Sequence, residues 1–273
     1  MSVTGPTIVR RQLGRRLRQA RAQAGKTIDD VVASGIVSKA TLHRYEGGRV
    51  PVTPGTVLEL SLLYGLDQTG TKALYDLAVN SQRRGWWEDH EQGGSDPALY
   101  VGLESAATRI ETFQADVIYG LLQTPDYARA VETADATAPD EPTITQRVSR
   151  RIRRQQIFER NPPVELRAVF GEGVLARQIG DSRTMAAQIT HLSDMVRRHQ
   201  VDIRVLTWQA GAHAAMTGAF SLMRYEDPDD PPLVFIETPL GGGYYEHPDQ
   251  VARCSRMFDS VYQESVPLMD YLA

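Results

Sequence analysis

The chain has 273 residues, 41% hydrophobic and 23% charged, enough for two ordinary domains and too apolar for a largely disordered chain. No apolar run approaches the ~20 residues of a membrane-spanning helix, and Met1 to Arg11 lacks the apolar stretch of a secretory signal. A lone cysteine, Cys254, excludes an internal disulfide and a multi-cysteine zinc site, so a cytoplasmic protein without cofactor is expected. The net charge of −4 conceals an asymmetry: residues 1–85 carry 13 Lys and Arg against 6 Asp and Glu, and the rest 17 against 28. A basic head on an acidic body points to nucleic acid.

In chain order, Val9, Leu13, Leu17 and Ala20 recur at helical spacing, and predict a helix from Ile8 to Ala24 that stops at Gly25. Thr27 caps a short second helix, Ser38 a third from Lys39 to Glu46, and Thr53-Pro54 opens a fourth that ends near Tyr64. A fifth runs from Thr71 to about Gln82. The expected head, 1–85, is therefore all-α, followed by a linker at 86–97 that is rich in Gly and acids. Residues 98–273 are expected to form a regulatory α+β domain, with a helical part at 98–162 and a small mixed sheet at 163–273. Its predicted helices are Ala98 to Phe113, Thr124 to Thr133, Thr143 to Arg160, Met185 to His199 and Asp249 to Glu264. Its predicted strands are Val164 to Phe170, Val201 to Trp208, Phe220 to Tyr225, Leu233 to Glu237 and Gly243 to Tyr245.

The second and third helices form a helix-turn-helix, a common packing motif as well as a DNA-binding one. In the DNA-binding version the third helix presents small, polar and cationic groups to a major groove. Lys39, Ala40, Thr41, His43 and Arg44 fill that stretch, while Leu42 and Tyr45 turn inward. Lys39 and Arg44 suit guanine O6/N7 or phosphate, and Thr41 a phosphate or thymine methyl. Arg10, Arg11, Arg15, Arg18 and Arg49 supply attraction to the DNA backbone.

The run from Ser38 to Arg49, with Leu13-Gly14-Arg15 and Gly25-Lys26-Thr27 before it, resembles the phage-repressor (Cro/C1, XRE) helix-turn-helix over residues 8–66. That resemblance implies an ion pair between Arg21 and Glu46, at the ends of the first and third helices. Further on, Leu103-Glu104-x-x-Ala107, the run Gly120-Leu-Leu-Gln-Thr-Pro-Asp-Tyr-Ala-Arg129, Arg151-x-x-Arg154-Gln155 and Gly218-Ala-Phe-Ser221 resemble WhiJ-like actinobacterial regulators. Tyr119 stands where that family usually has Pro. Membership implies a transcription regulator, described as antitoxin-like and often encoded beside a small partner protein.

Two readings of Gly120 to Arg129 stay open: a structural turn, or a pocket wall with Gln123 and Tyr127 in it. Arg147, Arg150, Arg151 and Arg154 fall on one helical face. They pair with the domain's own acids, hold an anionic effector or acidic partner, or touch DNA. Trp208, Tyr244 and Tyr245 are core and rim, or a ligand cage. Enzyme signatures are missing: Gly241-Gly242-Gly243 has no following Lys-Ser/Thr, His191 and His199 are too far apart for one zinc, and a dyad of Cys254 with His213 or His247 is remote. The sequence thus predicts a homodimeric, nucleoid-associated regulator on double-stranded DNA, with no membrane partner. Its tail would take a small-molecule effector or a small acidic protein from an adjacent gene; the alternatives are an antitoxin-like protein and an enzyme fused to the head.

Overall fold

The computed structural model describes residues 8–82, 97–137, 139–198, 201–226, 230–239 and 241–273. Most of the expected linker 86–97, with Trp86 and Trp87, lies outside them, as do His199 and Asp227 to Asp229 of the expected turn. The chain divides into two compact units, Met1–Leu103 and Glu104–Ala273.

The first unit opens with α1 (Ile8–Gln23), α2 (Ile28–Ala33), α3 (Lys39–Glu46), α4 (Pro54–Leu63) and α5 (Gln68–Gln82). Three of the starts have a local cause. Thr27 caps α2 in a capping box with Asp30, Ser38 Oγ accepts from Thr41 N–H at α3, and Thr53 caps α4 before Pro54. Val9, Leu13 and Leu17 of α1, Val31, Leu42, Val57, Leu60 and Leu77 are all buried in this unit. Gly14 lets α1 approach α3, because a Cβ there would stand 2.5 Å from the Tyr45 carbonyl oxygen. Gly48 has φ +63° and would place a Cβ 2.7 Å from Arg11 Cα, so the chain leaves α3 directly over α1.

The division between the units falls within α6 (Pro97–Ala106). The second unit then alternates: β1 (Arg109–Gln114), α7 (Pro125–Thr133), α8 (Glu141–Arg154), β2 (Glu165–Gly171), α9 (Glu172–Ala176), α10 (Ser182–Arg198) and β3 (Val201–Leu206). It closes with β4 (Phe220–Arg224), β5 (Leu233–Thr238), β6 (Gly241–Tyr245), α11 (Pro248–Glu264), β7 (Val266–Pro267) and α12 (Leu268–Tyr271). The seven strands form one mixed sheet in the order β6-β5-β4-β1-β2-β3-β7. β1, β2 and β3 run parallel, and the remaining pairs are antiparallel. On one face Phe113, Val169, Leu206, Leu222 and Val234 pack against Val251, Phe258 and Val261 of α11.

One expectation fails at the centre of this sheet. The helix predicted from Ala98 to Phe113 ends at Ala106, and Arg109 to Gln114 is β1, flanked by β2 and β4. Leu99, Leu103, Ala107 and Ile110 keep helical spacing across the break. β1 has no alternation to oppose it, since Ile110, Glu111, Thr112 and Phe113 are all buried. Two smaller differences concern α8, which is capped by Asp140 rather than opened by Thr143, and which passes into a 3-10 turn at Gln155–Phe158. The glycine run Gly241-Gly242-Gly243 lies in β6, at the sheet edge beside β5.

Candidate nucleic-acid interface

Helix α3 has two unlike sides. Leu42 and Glu46 are buried, Tyr45 is half-buried, and Lys39, Ala40, His43 and Arg44 are exposed, with Thr41 between them. Arg49, just past the Gly47-Gly48 turn, and Arg18 on α1 are exposed, and Arg15 is half-buried. Arg44 Nη2 donates to Thr41 Oγ1 at 3.4 Å, and Lys39 Nζ pairs with Asp29 Oδ1 of α2 at 3.4 Å. The Asp29 contact has no counterpart in the sequence reading.

Two arginines expected to attract DNA do other work. Arg11 is buried beneath Gly48, and Arg10 Nε donates to the Ser81 carbonyl of α5 at 3.4 Å. Arg11 thus faces the interior of the unit, and Arg10 is half-buried.

The expected pair between Arg21 and Glu46 is present and bidentate. Arg21 Nε donates to Glu46 Oε1 at 2.6 Å, Nη2 to Oε2 at 2.9 Å, and Nη1 to the Lys26 carbonyl at 3.0 Å. The bond to Glu46 raises the Arg21 guanidinium above its ordinary range. Nearby, burial pushes the Tyr64 hydroxyl up to about 12, with the Glu46 charge adding to it. That hydroxyl has no hydrogen-bond partner among the described residues. Because the folded state holds the neutral phenol more firmly than the unfolded chain does, its contribution is full below about pH 10 and lost as pH rises toward 12. Tyr64→Phe is expected to move the alkaline limb of a melting-temperature profile to higher pH; an unmoved limb would place the titration elsewhere.

In the second unit the segment from Ile118 to Tyr127 is tied down at almost every polar group. Gln123 Nε2 donates to the Ile118 carbonyl at 2.6 Å, and the Ile118 N–H donates to Tyr127 Oη at 3.2 Å. Gln188 of α10 accepts from Thr124 N–H and donates to the Leu122 carbonyl, both at 2.7 Å. The α8 arginines complete the frame. Arg147 reaches Glu132 and Asp135, Arg151 reaches Glu132 and Gln123 Oε1, and Arg154 grips Glu104 through Nε at 2.7 Å and Nη2 at 2.8 Å. Burial lowers the Arg151 guanidinium, while the bonds to Asp135 and Glu132 raise that of Arg147.

This geometry departs from the expectation that Gln123, Tyr127, Arg147, Arg151 and Arg154 face a ligand or partner. Gln123 and Tyr127 are buried, and the three guanidiniums are taken up by carboxylates of their own domain. Of the four aligned arginines, Arg150 is exposed and Arg147, Arg151 and Arg154 are half-buried. Glu104, the buried partner of Arg154, also accepts from the Tyr119 hydroxyl at 2.8 Å, which gives Tyr119 a polar role that Pro could not fill.

Trp208 is exposed, Tyr245 lies at the rim, and Tyr244 is buried against Phe235 with ring centroids 5.0 Å apart. Cys254 packs against the α11 core, and burial raises its thiol above the ordinary range. His213 and His247 each accept a backbone N–H at Nδ1, and no hydrogen bond joins either to Cys254 among the described residues. No group of three or more potential metal ligands occurs among the described residues. Nor is any described helix long and apolar enough to cross a membrane.

Residues 97–270 match the family model described as Domain of unknown function (DUF5753). The chain belongs to that family. Within this DUF5753 protein, residues 12–74 match a second model, described as a helix-turn-helix domain, which spans α2 and α3 and the capped turn between them. No curated protein and no solved structure matches the chain. The head is a helix-turn-helix DNA-binding domain, and the match supports a regulator.

Proposed function

We propose that the protein is a sequence-specific transcriptional regulator of the XRE type that reads double-stranded DNA through α3. The observation that carries this reading is the outer face of that helix. Lys39 and Ala40 are exposed at the capped end, Thr41 is half-exposed and His43 and Arg44 are exposed in the last turn, while the opposite side is fixed to α1 through Arg21 and Glu46. Lys39 and Arg44 offer donors to guanine O6/N7, and Ala40, Thr41 and His43 lie between them; Arg18 and Arg49 meet phosphates, whereas Arg15 has its Nε and Nη1 buried. A second copy would place another α3 about 34 Å away on the next half-site. The dimer reading draws support from α4, which leaves two large apolar side chains in the open, Leu58 47% and Leu62 85% exposed.

The test separates base readers from phosphate contacts. Lys39→Ala or Arg44→Ala is expected to cost ~1–3 kcal/mol on the best duplex enriched from a random pool, and to relax preference at one position. Arg18→Ala is expected to weaken all duplexes alike, and to reduce the slope of log K against log salt by about 0.9. Wild-type affinity in both Lys39→Ala and Arg44→Ala would sink the assignment of α3.

We infer that the second unit is the regulatory half, in keeping with its resemblance to WhiJ-like, antitoxin-like proteins. A small-molecule effector is favoured by one feature, an open cleft of about 470 Å³ lined by Asp126, Arg129 and Ala130 of α7, by Asp181, and by Arg183 and Thr184 in the first turn of α10. Its lining is charged and open to solvent, so the effector it suits is a small polar or ionic one. Whatever binds must prefer one arrangement of the DNA-bound dimer, since equal affinity for both would shift nothing. A small acidic protein from an adjacent gene is the competing occupant. Co-purification with that gene product, undiminished when Arg183 is changed to Gln, would decide for the protein partner over the cleft.

A further inference from the structure

The head is strongly cationic, and a cationic surface binds any duplex. Counterion release rewards every Lys or Arg that reaches a phosphate, whatever the sequence, so an unrestrained lysine at the tip of a recognition helix raises background binding along with specific binding. Specificity is the ratio of the two. The first turn of α2 runs against this need for positive charge, since it carries Asp29 and Asp30.

These two carboxylates have separate duties. Asp30 Oδ2 accepts from the Thr27 N–H and hydroxyl, both at 2.7 Å, which completes the capping box and holds its carboxyl below the ordinary aspartate range. Asp29 takes no part in the cap. Its side chain is 84% exposed, and the contact it makes is with Lys39 Nζ, across the turn at the first residue of α3. Helix capping therefore accounts for Asp30, while Asp29 has only the favour that the helix dipole gives an acid in the first turn, and its contact with Lys39. A pair this open contributes little to stability. Its chemical consequence lies with Lys39, the ammonium placed first on the reading face.

We propose that Asp29 is a specificity-determining residue of the DNA interface, which withholds Lys39 from phosphates and releases it only to a better acceptor. The inference rests on the reading of α3 as the recognition helix. On an arbitrary duplex, Lys39 has a choice between Asp29 and a phosphate, two singly charged oxygen acceptors of similar strength in water. Asp29 is the nearer. On the correct site, a guanine edge offers O6 and N7 together with good geometry, and Lys39 exchanges partners. The pair thus lowers background affinity more than operator affinity.

The experiment measures the full-length protein by fluorescence anisotropy over a salt series, on a random-sequence duplex and on the duplex that wild type enriches from a random pool. Asp29→Asn is expected to bind the random duplex more tightly, by up to about fivefold, the equivalent of a surface ion pair. Its salt slope on that duplex should steepen by about 0.9, one further phosphate contact. The enriched duplex should gain less, so the ratio between the two falls. A general effect of the lost negative charge is separated by the Lys39→Ala background, in which Asp29→Asn should change nothing. Duplex binding that needs Lys39 but ignores Asp29→Asn overturns the proposal alone, as does a gain that persists without Lys39. Binding indifferent to Lys39→Ala overturns the recognition-helix reading and this proposal with it.

Discussion

Glu46→Ala is expected to unfold or severely loosen the helix-turn-helix, and to abolish DNA binding without touching a DNA contact. The Glu46 side chain is 6% exposed and its carboxylate holds both arms of the Arg21 guanidinium, so truncation strands a cation against the Leu42 side of α3. Breaking a buried pair from one side costs ~3–5 kcal/mol. In a unit of this size each kcal/mol shifts the melting temperature by roughly 4–8 °C, so a loss of more than about 12 °C in the head is expected by calorimetry of the full chain. Replacing both partners together, as Arg21→Met with Glu46→Leu, removes the stranded charge and should restore most of the stability. DNA binding should follow stability in this series, because Arg21 and Glu46 set the position of α3 rather than meet the duplex. Equal melting of wild type and Glu46→Ala would show that the pair contributes nothing to the fold.

The second large effect is expected in the other unit. Arg154→Ala leaves Glu104, 2% exposed in its side chain, with the Tyr119 hydroxyl in place of a bidentate guanidinium. The same ~3–5 kcal/mol applies, and in a unit of about 170 residues each kcal/mol is worth roughly 2–4 °C, so a drop of about 10 °C is expected. Tyr119→Phe should cost less, ~1.5–3 kcal/mol, since it removes a single hydrogen bond to a charged group. The result discriminates between the roles first open to the arginine face. A frame of internal pairs predicts lost stability with operator affinity kept at temperatures below the transition. An effector contact predicts unchanged melting with a lost response, and that outcome would refute the frame.

How far the sequence reaches depends on the range of the forces that decide each element. The helices of the head were legible because their signals lie within a turn of one another: Thr27 with Asp30, Ser38 with Thr41, Thr53 with Pro54. The same holds for α7, whose start at Thr124-Pro125 is a cap followed by a residue that tolerates the first turn. The exposed set on α3 follows from Leu42 alone, since one buried position orients a short helix. Arg21 with Glu46 was reached through resemblance to a known pattern, because nothing within either helix names a partner 25 residues away.

What only the tertiary structure decided is whatever rests on contacts between distant segments. β1 is a strand because β2 and β4 pair with its two edges, and the burial of both its faces erases the alternation that would have announced it. The arginines of α8 line one face by spacing, but their acceptors Glu104, Glu132 and Asp135 come from α6, from α7 and from the turn that follows α7. Charge counting supplied no address for them. Arg11 is buried because Gly48 brings a turn over it, and Lys39 meets Asp29 because the Gly35 turn folds α2 back beside α3. Local hydrogen bonds act within about four residues and are written in the sequence as motifs; burial and ion pairing depend on which surfaces meet, and that is settled only when the chain has closed on itself.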